Sequence, residues 1–290
     1  MRILSSLSVA SLVLILVLVN DRPTSAEGIF PDKKLEAAVR QQVFEKRNND
    51  EPITAEDVQH VAVVNGSGTE IKDLTGIEHC QSLALLDVGD NQISDVSPLA
   101  KLANLQSLTL SNNKIDDLKP LAGLEALQYL MLDGNAIEDV GPLAGLVSLN
   151  TLDVSQNKIK DPAALAKLER LWSLYLDENQ ISDISSLSSL TGLQTLGLSK
   201  NMLTDLSPLA GFSSLNSLFL QSNKLTDLQI LVDMAEKDAK DNQRFARFWR
   251  IYLKGNPLSD AARNDQVGAL KKLGGRIFLT DPARQQTAEK

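Results

Sequence analysis

The sequence predicts a leucine-rich repeat solenoid: a right-handed α/β superhelix with a parallel concave sheet, 3₁₀ or irregular turns on its convex side and a helical cap at each end. Three observations predict it. An asparagine recurs every 22 residues at Asn91, Asn113, Asn135, Asn157, Asn179, Asn201 and Asn223, each inside the pattern L-x-x-L-x-L-x-x-N-x-[IL]-x-D. Aspartates run in register with it at Asp73, Asp95, Asp117, Asp139, Asp161, Asp183, Asp205, Asp227 and Asp260. The chain is 43% hydrophobic but only 4% aromatic, as expected when many short repeats each add Leu and Ile to one continuous interior. One elongated domain therefore absorbs most of the 290 residues.

Residues 1–26 open with Arg2, continue as an apolar run from Ile3 to Val19 and end in the small residues Thr24, Ser25 and Ala26. That layout is a secretory signal peptide, with cleavage after Ala26. A retained anchor is the alternative, since the run lies at the lower edge of the ~17–25 residues that span a bilayer. No later stretch is apolar enough, so no stable span is expected after cleavage, and the expected location is secreted, periplasmic or cell surface. Cleavage leaves 27 basic and 36 acidic residues, a net charge of −9. Such a surface disfavours nucleic acid and anionic membranes, and favours a basic partner. Cys80 is the single cysteine, so no internal disulfide supports this chain.

Residues 27–82 read as an N-terminal helical cap and a degenerate first repeat. Asp32 opens a helical pattern with Leu35, Val39 and Val43 on one stripe, and Thr54 with Asp57 three residues later marks a second short helix before Val58 and Val61. Residues 83–258 hold the repeats. In the unit from Leu105, the apolar Leu108 and Leu110 alternate with Ser107 and Thr109, the period of a half-buried strand. Asn113 then turns inward, where its amide both donates to and accepts from backbone groups of its own and neighbouring turns. Nine aligned aspartates invite a metal-binding reading, but a carboxylate just before a short helical turn is the expected acceptor for its free N–H groups. Pro98, Pro120, Pro142 and Pro208 then occupy first-turn positions that need no N–H, with Ala164 and Ser186 in two repeats. Eight or nine strands ~4.8 Å apart would make a sheet on the order of 40 Å long.

The ladder breaks once: Asn256 follows Asn223 by 33 residues, so this repeat carries 11 extra. The insertion, about 232–247, is rich in helix formers and charge and predicts a convex helix. Residues 259–280 close the array, with Asp260 capping a helix whose Val267, Leu270 and Leu273 face the last repeat, Gly274 ending it, and Ile277–Leu279 adding a strand. Residues 281–290 are expected to be a disordered tail.

With cap and repeats placed, the chain resembles the bacterial internalin-like leucine-rich repeat family. The residues that carry the resemblance are Ile29-Phe30-Pro31-Asp32, Ile53-Thr54-Ala55-Glu56-Asp57-Val58, Ile71-x-Asp73-Leu74-Thr75-Gly76-Ile77-Glu78 and the P-L-A-x-L segments, spanning roughly 28–280. The repeat is also similar to that of the intracellular phosphatase-1 regulatory leucine-rich protein, against which the signal peptide and P-L-A-x-L argue. The internalin resemblance implies secreted or cell-surface proteins that bind other proteins through the concave face, and it carries no catalytic residue over. The immunoglobulin-like modules and wall-sorting signal of adhesive members are not present after the closing helix, so host invasion is not transferred.

Residues flanking the second strand Leu point outward and line the concave face. The central column runs Asp87, Thr109, Met131, Asp153, Tyr175, Gly197, Phe219 and Tyr252, with Tyr129 in the column before it and Asp133 and Asp177 in the column after. Tyr129, Met131, Tyr175 and Phe219 are the expected anchors for a protein partner, with Tyr252 beside them. Asp133, Asp153, Asp177 and Glu178 would attract a basic one. Gly197 is expected to leave a slot between Tyr175 and Phe219 for a partner side chain. The plain alternative is that the rings cover neighbouring strands as cross-strand pairs and that the acids are a solvated face.

An enzyme is not expected, and neither is a cofactor or a metal. His60 and His79 join no Cys or carboxylate cluster at ligand spacing. G-x-S-x-G is absent, and Gly66-Ser67-Gly68 is read as lacking the strand and lysine of a phosphate loop. Paired carboxylates could serve a glycosidase, but only within a cleft that encloses a sugar. The remaining readings are a monomeric exported protein-binding module, a surface-assembly component, or a carbohydrate-binding envelope protein using Tyr175 and Phe219.

Overall fold

The computed structural model describes residues 28–241 and 248–280. The signal peptide read over 1–26, the tail at 281–290 and part of the 232–247 insertion lie outside them. Ten three-residue strands form one all-parallel sheet in chain order. They are β1 (Val63–Asn65), β2 (Leu85–Asp87), β3 (Ser107–Thr109), β4 (Tyr129–Met131), β5 (Thr151–Asp153), β6 (Ser173–Tyr175), β7 (Thr195–Gly197), β8 (Ser217–Phe219), β9 (Arg250–Tyr252) and β10 (Arg276–Phe278). The middle residue of each is buried, and the two flanking it are at least partly exposed everywhere except at Gly197. One face of the sheet thus packs on the Leu and Ile interior while the other stays open, as alternation along the sequence demanded.

The sheet is longer at the front than the eight or nine repeats predicted. β1 leads directly into Gly66-Ser67-Gly68, so the reading that no strand precedes this turn is wrong. Val64 is fully buried while Val63 and Asn65 are exposed, as in the later strands, but Gly66 and Thr69 stand where those repeats carry an apolar residue and the ladder asparagine. The chain then turns through Gly68 at φ +68° instead of entering a helix, so the phosphate-loop geometry is still missing.

Each ladder asparagine fastens two repeats. Asn179 donates from Nδ2 to Val154 O of the preceding repeat at 2.9 Å and to its own Leu176 O and Asp177 O at 3.1 and 3.3 Å, while its Oδ1 accepts from Ile159 N at 3.0 Å. The same set recurs at Asn157 and Asn201. The residue before the asparagine adopts a left-handed conformation to make the inward turn, with φ between +53° and +56° at Asp90, Asn112, Gln156, Glu178, Lys200 and Ser222. Glycine supplies this turn at Gly134, where a Cβ would sit 2.3 Å from Asn112 Oδ1.

The aspartate column does what a capping column should. Asp95, Asp117, Asp139, Asp161, Asp183 and Asp205 each accept the N–H two residues on, at 2.7–2.9 Å, opening the convex 3₁₀ turns. Proline occupies the first turn at Pro98, Pro120, Pro142 and Pro208. In the repeat after Asn223, Asp227 accepts from Gln229 N and the turn continues as a full helix, α3 (Gln229–Asp241). It begins earlier than the insertion suggested and buries Leu231, Val232, Met234 and Ala235, so this segment is an enlarged convex turn built into the core.

Both ends are covered by helices. In α1 (Lys33–Arg40), Asp32 Oδ1 caps Lys34 N and Leu35 N, while its Oδ2 accepts from Lys72 N at 2.8 Å and Asp73 N at 3.2 Å in the first repeat. Burial alone would raise the Asp32 carboxyl; these four N–H donors outweigh it and hold its pKa below the ordinary value. α2 (Ala55–Val58) carries the Thr54/Asp57 capping box. At the far end, the cap of the closing helix is Ser259, whose Oγ accepts from Ala262 N at 3.1 Å; Asp260 is already helical, a correction of one residue to the expected cap. A π-helical segment, Ala262–Gln266, runs into α4 (Val267–Lys272), where Val267 and Leu270 are buried and Gly274 at φ +99° ends the helix. Cys80 is fully buried, and burial together with Glu78 pushes its thiol up to about 12, so it behaves as a small core residue.

Candidate interaction face

The strand register aligns the open face in three columns. Asp87, Thr109, Met131, Asp153, Tyr175, Gly197, Phe219 and Tyr252 lie side by side on consecutive strands, and Phe278 of β10 extends the line. Adjacent members are one strand apart, ~4.8 Å. The parallel register fixes side chains this closely because the asparagine ladder holds every repeat at the same height.

The front half is acidic and carries the exposed ring. Tyr129 is 40% exposed, and its phenol is raised above its ordinary pKa by partial burial and then by the carboxylates Asp153, Asp133 and Asp87 around it. Asp153 is raised as well, first by burial and further by Asp133 and Asp177, although Ser155 offsets part of this by donating to it, its N–H at 2.8 Å. Asp177 is raised mainly by burial, against the hydrogen bonds from Ser199, whose N–H lies 2.6 Å from Asp177 Oδ1. Asp133 accepts from the Ser111 hydroxyl. The structure brings together Tyr129, Met131, Asp133, Asp153, Tyr175 and Asp177 as one patch across β4 to β6.

The expected slot at Gly197 is closed. A Cβ built there would lie 2.0 Å from Asp177 Oδ2 and 3.1 Å from Tyr175 Cδ1, so the space released by glycine is taken by this carboxylate and by the edge of the ring. Glycine at 197 is what allows Asp177 to reach across to Ser199.

Phe219 and Tyr252 occupy the other half and are less available than expected. Their rings stack at 4.6 Å with an 8° interplanar angle, and Tyr252 stacks equally on Phe278 at 4.6 Å and 10°. Three parallel rings covering one another's faces form a cross-strand column, the packing alternative to an open anchor. Phe278 was not among the expected residues because its strand begins at Arg276, one residue before the apolar triplet that suggested it. Arg250 and Arg276 flank these rings in the neighbouring column, so the acidic and basic parts of the face lie at opposite ends.

Among the described residues, no group of three or more His, Cys, Asp or Glu side chains is arranged to hold a metal, and no helix is long and apolar enough to cross a membrane. One exposed aromatic of the repeat array does not figure among the expected residues: Trp172, 60% exposed, immediately before β6. Its signal was legible as a period, since the equivalent positions 22 residues away are Asn150 and Gln194.

Two leucine-rich repeat family patterns match the sequence, one of two repeat copies over residues 81–123 and one over residues 134–235. No curated protein gives a significant match. Among solved structures, the internalin InlF of Listeria monocytogenes superimposes with a TM-score of 0.63 at 27% identity, covering 87% of this chain and 90% of its own. A leucine-rich repeat protein of Leptospira interrogans shares the fold, with a TM-score of 0.54 at 21% identity over 69% of this chain and 62% of that one. Internalin C2 of Listeria monocytogenes is 35% identical over 68% of this chain, with a TM-score of 0.55. Since 95% of internalin C2 is matched at that identity, the chain belongs to the internalin-type leucine-rich repeat proteins.

Proposed function

We propose that this chain is an exported, non-enzymatic binding module that holds a protein partner on the front half of its concave face. The observation that carries the reading is the patch across β4 to β6, where Tyr129 stands 40% exposed amid Asp87, Asp133 and Asp153. An amphipathic ring on rigid strands suits a binding anchor, and the carboxylates around it suit a basic partner surface. Export is supported by the signal-peptide layout of residues 1–26 and by the family. The back half, with its rings stacked on one another, supports the face mechanically.

The test is affinity capture from envelope and culture-medium fractions with the chain from Glu27 onward, followed by titration of each recovered protein against wild type and a Tyr129→Ala/Tyr175→Ala variant. A specific partner should bind the variant at least about tenfold more weakly. Its association rate should fall as salt is raised, because opposite charges steer the encounter. A variant that keeps every partner at full affinity overturns the patch assignment.

A further inference from the structure

A second amide column runs along the strand-entry margin of the sheet, and it is the opposite of the asparagine ladder. Gln106, Gln128, Asn150, Trp172, Gln194 and Asn216 occupy one repeat position, and their backbones continue the strand pairing: Gln128 N bonds Gln106 O at 2.8 Å, Asn150 N bonds Gln128 O at 2.8 Å, Trp172 N bonds Asn150 O at 2.8 Å and Gln194 N bonds Trp172 O at 2.9 Å. The residues are held in register, yet among the described residues none of the five amide side chains has a hydrogen-bond partner. Gln106, Gln128 and Asn150, with Ser148 and Arg170, line a groove of ≈ 300 Å³. Arg170 has no ion-pair partner among the described residues either. Trp172 follows in the column, its N–H bonded to Asn150 O at the groove and its position two residues along the chain from Arg170.

We propose that this margin is a binding site for a linear, carboxylate-bearing glycan. Each amide offers a donor and an acceptor, the pair that a sugar hydroxyl also needs. The indole gives a flat apolar face against which the C–H face of a pyranose packs. The strand spacing of ~4.8 Å sets successive amides about one sugar apart along an extended chain. The chemistry favours a glycan over a peptide strand: a peptide draws its specificity from alternating apolar pockets, and this margin presents a row of amides with one ring. One arginine is too little charge for a nucleic-acid backbone but enough for a single uronate-type carboxylate. The site is separate from the Tyr129 patch, and neither reading depends on the other.

The chain has two tryptophans, and the other, Trp249, is fully buried, so a ligand-induced change in tryptophan emission reports on Trp172. The full chain from Glu27 would be titrated with a hyaluronan hexasaccharide as the acidic probe, cellohexaose as the neutral probe and an unfolded Gly-Glu decapeptide as the peptide probe. The acidic hexasaccharide should give a saturable emission change. Trp172→Ala should abolish binding measured by calorimetry while leaving the circular dichroism spectrum unchanged, since the ring is exposed. Arg170→Gln should weaken the acidic probe about tenfold, to the level of cellohexaose, and leave cellohexaose unaffected. Failure of the acidic hexasaccharide to saturate at millimolar concentration overturns the proposal. So does equal binding of the two hexasaccharides, tighter binding of the peptide, or full binding by Trp172→Ala.

Discussion

Replacing Asn179 by alanine should cost about 3 kcal/mol, less than its four hydrogen bonds suggest when each is counted alone. Three of the groups it leaves keep a partner. Val154 O retains the Asn157 amide at 3.0 Å, Leu176 O retains the Asn201 amide at 2.8 Å, and Asp177 O retains Gln156 N at 2.8 Å. Only Ile159 N is orphaned, and it is buried. One buried unsatisfied donor costs about 1–3 kcal/mol, and the small cavity adds about 1 kcal/mol. Asn179→Asp sharpens the test. Its carboxylate could still accept from Ile159 N, but it would set a second oxygen against three carbonyls at a position only 8% exposed. At neutral pH the aspartate should therefore be worse than the alanine. Its folded pKa would be raised, so the penalty is full above that value and fades as pH falls through it. Urea unfolding followed by circular dichroism measures both variants, with the m-value checking that cooperativity survives. An alanine cost below about 1 kcal/mol, or an aspartate milder than alanine at pH 7, would refute the shared-acceptor reasoning.

Gly197→Ala should lower stability by about 1 kcal/mol, the loss of one hydrogen bond, because the new Cβ displaces Asp177 from Ser199 N. Displacement removes both the burial that raises the Asp177 pKa and the Ser199 hydrogen bonds that lower it, so the readout is the Ser199 amide, whose hydrogen exchange should speed up; unchanged protection there would show that Asp177 had not been displaced. Asp153 has a raised folded pKa, so its charged form opposes folding at neutral pH and this penalty is relieved as pH falls through that value. Asp153→Asn should accordingly be more stable than wild type at pH 7, with the advantage vanishing in acid, as thermal melts across pH would record. Asp32 behaves oppositely: its lowered pKa contributes stability above the unfolded value and loses it as pH falls through the folded one. Asp32→Ala should cost about 2 kcal/mol, since it leaves N–H groups in both the helix and the first repeat without their acceptor. It should also speed hydrogen exchange at Lys72 more than at Lys119, whose own cap is intact.

The scaffold was legible because its demands repeat. Every turn needs an amide to pair its inward-facing backbone and a carboxylate to open its convex segment, so Asn and Asp recur at fixed positions whatever lies between them. The ends obey the same physics only once, and there the reading slipped by small amounts. β1 sits in the same 22-residue register, with Val64 in the place of Leu86, but Gly66 and Thr69 replace the next apolar residue and the ladder asparagine, so the pattern is broken there. The closing helix has two adjacent polar candidates for its cap, Ser259 and Asp260, and extending the aspartate column by analogy chose the one already inside the helix. The insertion, expected as a convex helix, has an apolar face because its helix begins within the regular turn at Gln229.

The face could be placed in columns from sequence, but its contacts could not, because they run between repeats. Gly197 looks like a vacancy when only its own column is read: Tyr175, Gly197, Phe219. The side chain that fills it, Asp177, belongs to the next column of the preceding repeat and arrives because its best donor is Ser199 N. Phe219 and Tyr252 look like open anchors for the same reason, until Phe278 completes a stack in which each ring faces another. The two proposed binding positions share one criterion: a residue that departs from its column and whose polar or aromatic surface the neighbouring repeats leave unused. Tyr129 meets that criterion on the acidic half of the concave face, and Trp172 meets it among unpartnered amides. The repeated asparagines, chemically as polar as either column, fail it because every one of their atoms is already engaged by the fold.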